Sequence, residues 1–159
     1  MKSNWMAALA SAALLALSPT MVTAQTAQPI ELKGDVKVSK LVIENGKEKQ
    51  VLSDPKVVVP GDRLIFSTSY RNNGTETVRN FIVTNPIPNG VMLAPEGAEA
   101  HSVSVDGGKT WGKLASLSVS SGDGASRPAV AGDVTHVRWV LPEVAPGAEG
   151  KVTYNAIVR

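Results

Sequence analysis

Nine residues, Arg63, Leu64, Ile65, Phe66, Ser67, Thr68, Ser69, Tyr70 and Arg71, alternate without a break. Leu64, Phe66, Thr68 and Tyr70 fall on one face, and both Arg on the other. A period of two with charge confined to one side can only be satisfied by a strand with one buried face. Turn chemistry brackets it. Pro60-Gly61 before Asp62 suits a type II turn, because Pro presets φ at the first central position and Gly tolerates φ > 0 at the second. Asn72-Asn73-Gly74 ends the strand with residues that accept left-handed backbone. Residues 78–84 then read as its return partner in a hairpin, with Phe81 and Val83 in the core, stopped by Pro86 and Pro88.

The remainder of the chain supplies more of the same. Residues 36–43 form a strand, and Asn45-Gly46 predicts a type I′ hairpin into residues 47–52. Lys47, Glu48 and Lys49 mark that partner as an exposed edge guarded against further pairing. Residues 57–59 and 91–93 read as short strands, and 94–97 as a loop. Strands over 100–105 and 110–119 flank the Asp106-Gly107-Gly108-Lys109 turn, and 120–128 has the composition of a loop. Residues 134–141 form a strand with Val137, Trp139 and Leu141 inward, residues 142–150 cross to another sheet, and 151–159 form the last strand. No helical period appears. Short strands at close intervals argue for an all-β sandwich or barrel.

The ends of these strands are similar to a known pattern. Pro60-Gly61-Asp62, Phe66, Tyr70, Asn72 and Gly74 resemble a Pro-Gly-Asp turn, an alternating strand and Asn-x-Gly. Phe81-Ile82-Val83-Thr84 followed by Ile87-Pro88-Asn89-Gly90 resembles a strand entering Leu-Pro-x-Gly. Residues 104–111, Val137-Arg138-Trp139, Pro146-Gly147 and Val152-Thr153-Tyr154 fit the same order. The resemblance is to the conserved-repeat domain of unknown function, the eleventh of its series, and covers residues 36–159. It implies a single antiparallel immunoglobulin-like β-sandwich, found in bacterial and archaeal envelope and secreted proteins. Asn85 stands where that family usually has Asp.

The first 24 residues read as a secretory signal: Lys2, an apolar run over 6–17, and Val22-Thr23-Ala24 as the cleavage site. The run is too short to span a bilayer, so no membrane span is expected in the mature chain. Residues 25–35 read as a flexible lead-in, with a donor strand through Ile30 and Leu32 as the sharper alternative. Lys2 is the one charged residue of the signal, so the remainder carries one more basic than acidic side chain. No basic cluster with interleaved aromatics exists, which argues against nucleic acid. The absence of cysteine excludes disulfides and a lipid anchor at the cleavage site.

Chemistry-bearing patterns are few. Ser104, Asp106, Gly108, Thr110 and Trp111 match the Asp-box of sialidases, whose physical content is a hairpin capped by its own Asp. His101 and His136 show no zinc spacing, and no Gly-x-Ser-x-Gly turn is present, so neither catalysis, metal nor cofactor is expected. Asp62, Asp106, Asp123 and Asp133 lie in turns without the run of oxygens that calcium needs. A Lys–Asn isopeptide bond would require Lys37 or Lys40 beside Asn155, with Glu76 as the buried acid. The expected function is contact with an envelope protein, in the periplasm or outside the cell. The contact surface would be the loops at 71–75, 94–99 or 120–128, or a strand edge. A self-assembling surface subunit and a glycan-binding module are the alternatives.

Overall fold

The strand at the centre of the sequence is Arg63–Asn72, β3, and it pairs on both sides within one antiparallel sheet. The computed structural model describes residues 29–120, 122 and 124–159. On one side of β3 lies β1 (Ile30–Glu44), which hairpins into β2 (Lys47–Ser53); on the other lies β10 (Glu149–Val158), followed by β5 (Val91–Leu93). A second sheet has the order β4 (Val78–Pro86), β9 (His136–Val144), β6 (Ser102–Ser104). β7 (Ser118–Ser120) and β8 (Ser126–Pro128) form a small separate ribbon.

Register explains the core. Val38, Leu64, Ala156 and Leu93 stand opposite one another across four strands of the larger sheet, and all are buried. Val103 and Val137 of the smaller sheet join them in one apolar cluster, with Ala98, Leu114, Ala129, Ala131 and Val134 from the connecting segments. Phe66 and Tyr154 stack at 4.9 Å between ring centroids, and Trp139 lies 6.3 Å from Tyr154. The Tyr154 hydroxyl donates to the Pro86 carbonyl at 3.2 Å, joining the two sheets, and burial pushes its pKa up.

Several expectations hold in detail. Asn45 and Gly46 both have φ > 0, as the type I′ hairpin requires. Gly61 has φ 92 and the Asp62 amide donates to the Val59 carbonyl at 3.0 Å, closing the Pro60-Gly61 turn.

Others need correction. β3 and β4 are not a hairpin: residues 73–77 carry the chain from one sheet to the other. Asn72 and Gly74 do not adopt positive φ. Gly74 is required by close approach instead, since a Cβ there would lie 2.8 Å from Pro29 Cβ. The lead-in is not free over its second half, because residues 30–34 belong to β1 and Ile30, opposite Asn72, is buried. The alternation runs from Ile30 to Val38, interrupted on its apolar side only by Gly34. Residues 57–59 are not a strand. Of 110–119, Gly112 makes one bridge to Val103, and Leu114–Ser116 is a turn of 3-10 helix. The loop expected at 120–128 includes strand β8. Residues 1–28, with the signal and Ala24, lie outside the described residues.

Candidate functional site

The turn at Ser104–Trp111 is built around one carboxylate. Asp106 accepts from the Lys109 amide (3.0 Å), the Thr110 amide (2.9 Å), the Thr110 hydroxyl (2.7 Å) and the Ser104 hydroxyl (2.7 Å). These bonds, those from Thr110 foremost, hold its carboxyl well below the usual carboxylate range. Gly107 and Gly108 supply positive φ, and Trp111 Nε1 donates to the Gly108 carbonyl at 2.9 Å. The Arg138 guanidinium stacks 4.4 Å from the Trp111 ring centre, and its buried Nε has no hydrogen-bond partner among the described residues. His136 meets the Trp111 edge at 6.3 Å. Every side-chain oxygen of Ser104, Asp106 and Thr110 is engaged in closing the turn, and the indole is half-covered.

The same holds for the other turn acids. Asp62 accepts from the Val59 amide at 3.0 Å. Asp133 accepts from the Val130 amide and from both terminal nitrogens of Arg127, which lower its pKa to about 2. Among the described residues no group of three His, Asp or Glu side chains converges as a metal site would. Asp123 lies outside them. The isopeptide geometry fails: Asn155 is exposed on β10, β10 pairs with β3 rather than β1, and Lys37 bonds Asp54 in solvent. His101 packs edge-on to Trp139 at 5.5 Å, and burial, aided by Lys113, lowers its pKa.

Asn72 takes a larger part than its sequence position implied. It is fully buried, and its amide donates to the carbonyls of Glu76 and Val144, both at 2.8 Å. Its Oδ1 accepts from the Gly74 amide at 2.9 Å, and its backbone bonds Ala148 and Gly147. The side chain thereby ties the 73–77 crossing to the end of β9, and the backbone of the same residue holds the 145–148 crossing.

At the opposite end, β1 outruns the sheet. Its pairing with β3 stops at Ser39 opposite Arg63, while its pairing with β2 continues to Glu44 opposite Lys47. Residues 40–51 therefore form a two-stranded arm that projects beyond the body. Leu41 and Ile43, with Leu52, lie on one face and are 72%, 78% and 51% exposed. Val42 and Val51 are exposed on the other face, and Val57, Val58 and Val59 follow β2. The hairpin's turn is legible in the local pattern and its projection is not, because register against a distant strand is invisible there. Of the expected contact loops, 94–99 shares this end, where Glu96 pairs with Arg63. The 71–75 segment sits at the Asn72 end.

The body is unequally covered at its sides. Residues 94–101, 113–120 and 124–133 close the side of β5 and β6, as the apolar cluster reflects. On the other side, among the described residues, β4 is an edge strand, and so is β1 over residues 30–37, where β2 does not pair. Between them opens a cavity of about 310 Å³ lined by Asp35, Val36, Phe66, Thr68, Asn85 and Tyr154 among others. Asn85 Nδ2 donates to the Thr68 hydroxyl at 2.7 Å within it. Leu32, on the inner face of β1, is 46% exposed, and a Cβ at Gly34 would meet nothing within 4 Å.

No helix among the described residues is long and apolar enough to cross a membrane. No family profile, no curated protein and no solved structure matches the chain, so its class rests on these residues and their geometry.

Proposed function

We propose that this chain is a non-enzymatic contact module of the cell envelope, exported by a signal cut after Ala24 and active in the periplasm or outside the cell. In this reading it is an immunoglobulin-like sandwich of the conserved-repeat type, which the order of Pro60-Gly61-Asp62, Asn72-x-Gly74 and the Ser104–Trp111 turn supports.

The projecting arm carries the reading. A two-stranded ribbon with no third strand is marginal in water. This one exposes Leu41 and Ile43, with Leu52 at its root, on one face, and Val42 and Val51 on the other. Fully burying such a side chain is worth about 1.5–3 kcal/mol, so covering the arm would stabilise a complex substantially. Contiguous exposed apolar residues on a charged frame, here Lys40, Glu44, Lys47, Glu48 and Lys49, are the composition of a contact surface.

A photo-crosslinking residue at Leu41, activated in intact cells, tests this. One discrete adduct, present at Leu41 and missing when the same probe replaces Lys151 on the outer face of β10, is the expected result. Equal labelling at both positions would sink the contact reading.

A further inference from the structure

We infer that Asn45, at the tip of the arm, is a self-modification site: its side-chain amide is lost through a cyclic imide closed by Gly46, which leaves aspartate or isoaspartate in its place. The inference stands independently of the contact reading.

The chain has three Asn-Gly pairs, Asn45-Gly46, Asn73-Gly74 and Asn89-Gly90. Each carries the reactants, because a glycine has no Cβ to hinder its own amide nitrogen. The fold treats them unequally. The Asn73 side-chain amide donates to the Glu31 carboxylate at 2.7 Å, and the Gly74 amide donates to Asn72 Oδ1 at 2.9 Å. Leaving group and nucleophile are both held there, and Gly74 is wedged against Pro29. Asn89 is exposed, but its turn is tied to the body. The Val91 amide donates to the Pro88 carbonyl at 3.2 Å, the Arg159 amide donates to the Gly90 carbonyl at 2.8 Å, and Val91 pairs with Val158. Asn45 has no such restraint. Among the described residues neither its side chain nor the Gly46 amide has a hydrogen-bond partner, and both residues are exposed.

Closing the imide requires the backbone at Asn to rotate until the glycine nitrogen faces Cγ, so the rate follows the cost of opening each turn. Opening at Asn45 disturbs only the end of a two-stranded ribbon exposed on both faces, which is marginal in water. Opening at Asn89 lifts β5 from β10, and opening at Asn73 breaks the bonds of buried Asn72. In the reaction the Gly46 nitrogen gives its proton to hydroxide and attacks Asn45 Cγ. The N–Cγ bond forms, the Cγ–Nδ2 bond breaks, and Nδ2 leaves as ammonia. One water then opens the ring, at Cγ to give aspartate or at the α-carbonyl to give isoaspartate. One water is consumed and one ammonia released, with no redox change.

The two products differ in effect. Aspartate adds a negative charge beside Glu44. Isoaspartate also adds a methylene to the main chain of a two-residue loop, which then no longer fits the pairing of Glu44 with Lys47. Neither face of the arm is buried to pin its register, so the arm frays from its tip.

The test is incubation of the purified protein in mildly alkaline buffer, folded and in urea, followed by peptide mapping by mass spectrometry. Trypsin places the three pairs on separate peptides, since Lys40, Lys47, Arg71, Arg79 and Lys109 bound them. In the folded protein, conversion at Asn45 should run ahead of Asn89 and on the order of tenfold or more ahead of Asn73. In urea the three rates should draw together. Hydrogen exchange at Val42 to Lys49 should be faster in the isoaspartate form than in fresh protein, whereas Asn45→Asp, with the charge but not the methylene, should retain the parent's protection. Conversion at Asn45 no faster than at Asn73, conversion at Asn89 overtaking it, or the same ranking persisting in urea would each overturn the assignment. An isoaspartate form that exchanges like fresh protein would overturn the fraying.

Discussion

Replacing Asn72 by Ala should remove more stability than any surface change of similar size. The side chain makes three hydrogen bonds, to the Glu76 and Val144 carbonyls and from the Gly74 amide, at 2.8–2.9 Å. A net value near 1 kcal/mol applies to each, and an abandoned partner that water cannot reach costs about 1–3 kcal/mol. Val144 is almost wholly buried, whereas the Glu76 and Gly74 bonds are only part-buried. Adding the void left at a fully buried position, the expected loss is about 3–5 kcal/mol. That is a large share of the roughly 5–15 kcal/mol a domain has in total. Urea denaturation followed by Trp fluorescence measures it, with the midpoint falling and the slope unchanged. Asn72→Asp sharpens the test. The carboxylate keeps an acceptor for Gly74 but faces two carbonyls, so its folded pKa should rise above its unfolded value. The folded state then holds the extra proton, and the deficit of this variant relative to the parent should shrink as pH falls through the raised pKa. A loss below about 1 kcal/mol for Asn72→Ala, or a pH-independent deficit for Asn72→Asp, would refute the idea that this amide ties the 73–77 crossing to the end of β9.

Three further outcomes are expected. Gly150→Ala should cost no more than about 1 kcal/mol, since the Cβ would meet only the far end of the Tyr70 side chain across the strand pair, which has to turn aside; chemical denaturation checks it, and the companion Tyr70→Leu should remove the difference. Stability should fall on acidification between about pH 4 and pH 2, because Asp106 and Asp133 have pKa values depressed by folding and lose that contribution as they protonate; Asp106→Asn should flatten the acid limb of a melting-temperature profile and reduce hydrogen-exchange protection at Lys109 and Thr110. Leu41→Ser with Ile43→Ser should leave the melting temperature of the dilute protein within a degree or two of the parent, as surface changes usually do, because both side chains are mostly solvent-exposed; a large drop would mean the arm folds onto the body.

What could be read from the residues was whatever depends on near neighbours. The two faces of β3, the Asn45-Gly46 and Pro60-Gly61 turns, and the Asp106 cap are all settled within a few positions, by period or by turn chemistry. Partnership between strands was not legible. β3 and β4 are sequence neighbours with matching patterns, yet each pairs elsewhere, and the cause lies at Asn72, whose amide reaches a carbonyl 72 residues away. The arm was hidden for the same reason. Residues 36–43 look like one strand, and nothing local reveals that β3 ends at Arg63 while β2 continues alongside. The turn at Ser104–Trp111 was legible because its hydrogen bonds close within a few residues. The cleft needed the count of strands in each sheet, which no single stretch holds.

The continuity of β1 through body and arm has a mechanical consequence. A pull on the arm along its length is passed into the body as shear, spread over the ten residue pairs from Ile30–Asn72 to Ser39–Arg63. Those pairs cannot yield one after another, as they would if the strand were peeled sideways. Nor can they slip by one place, since that would turn Ile30, Val36 and Val38 out to water and Lys37 and Lys33 in. The arm is therefore a handle that holds its grip under lengthwise tension and gives way when levered.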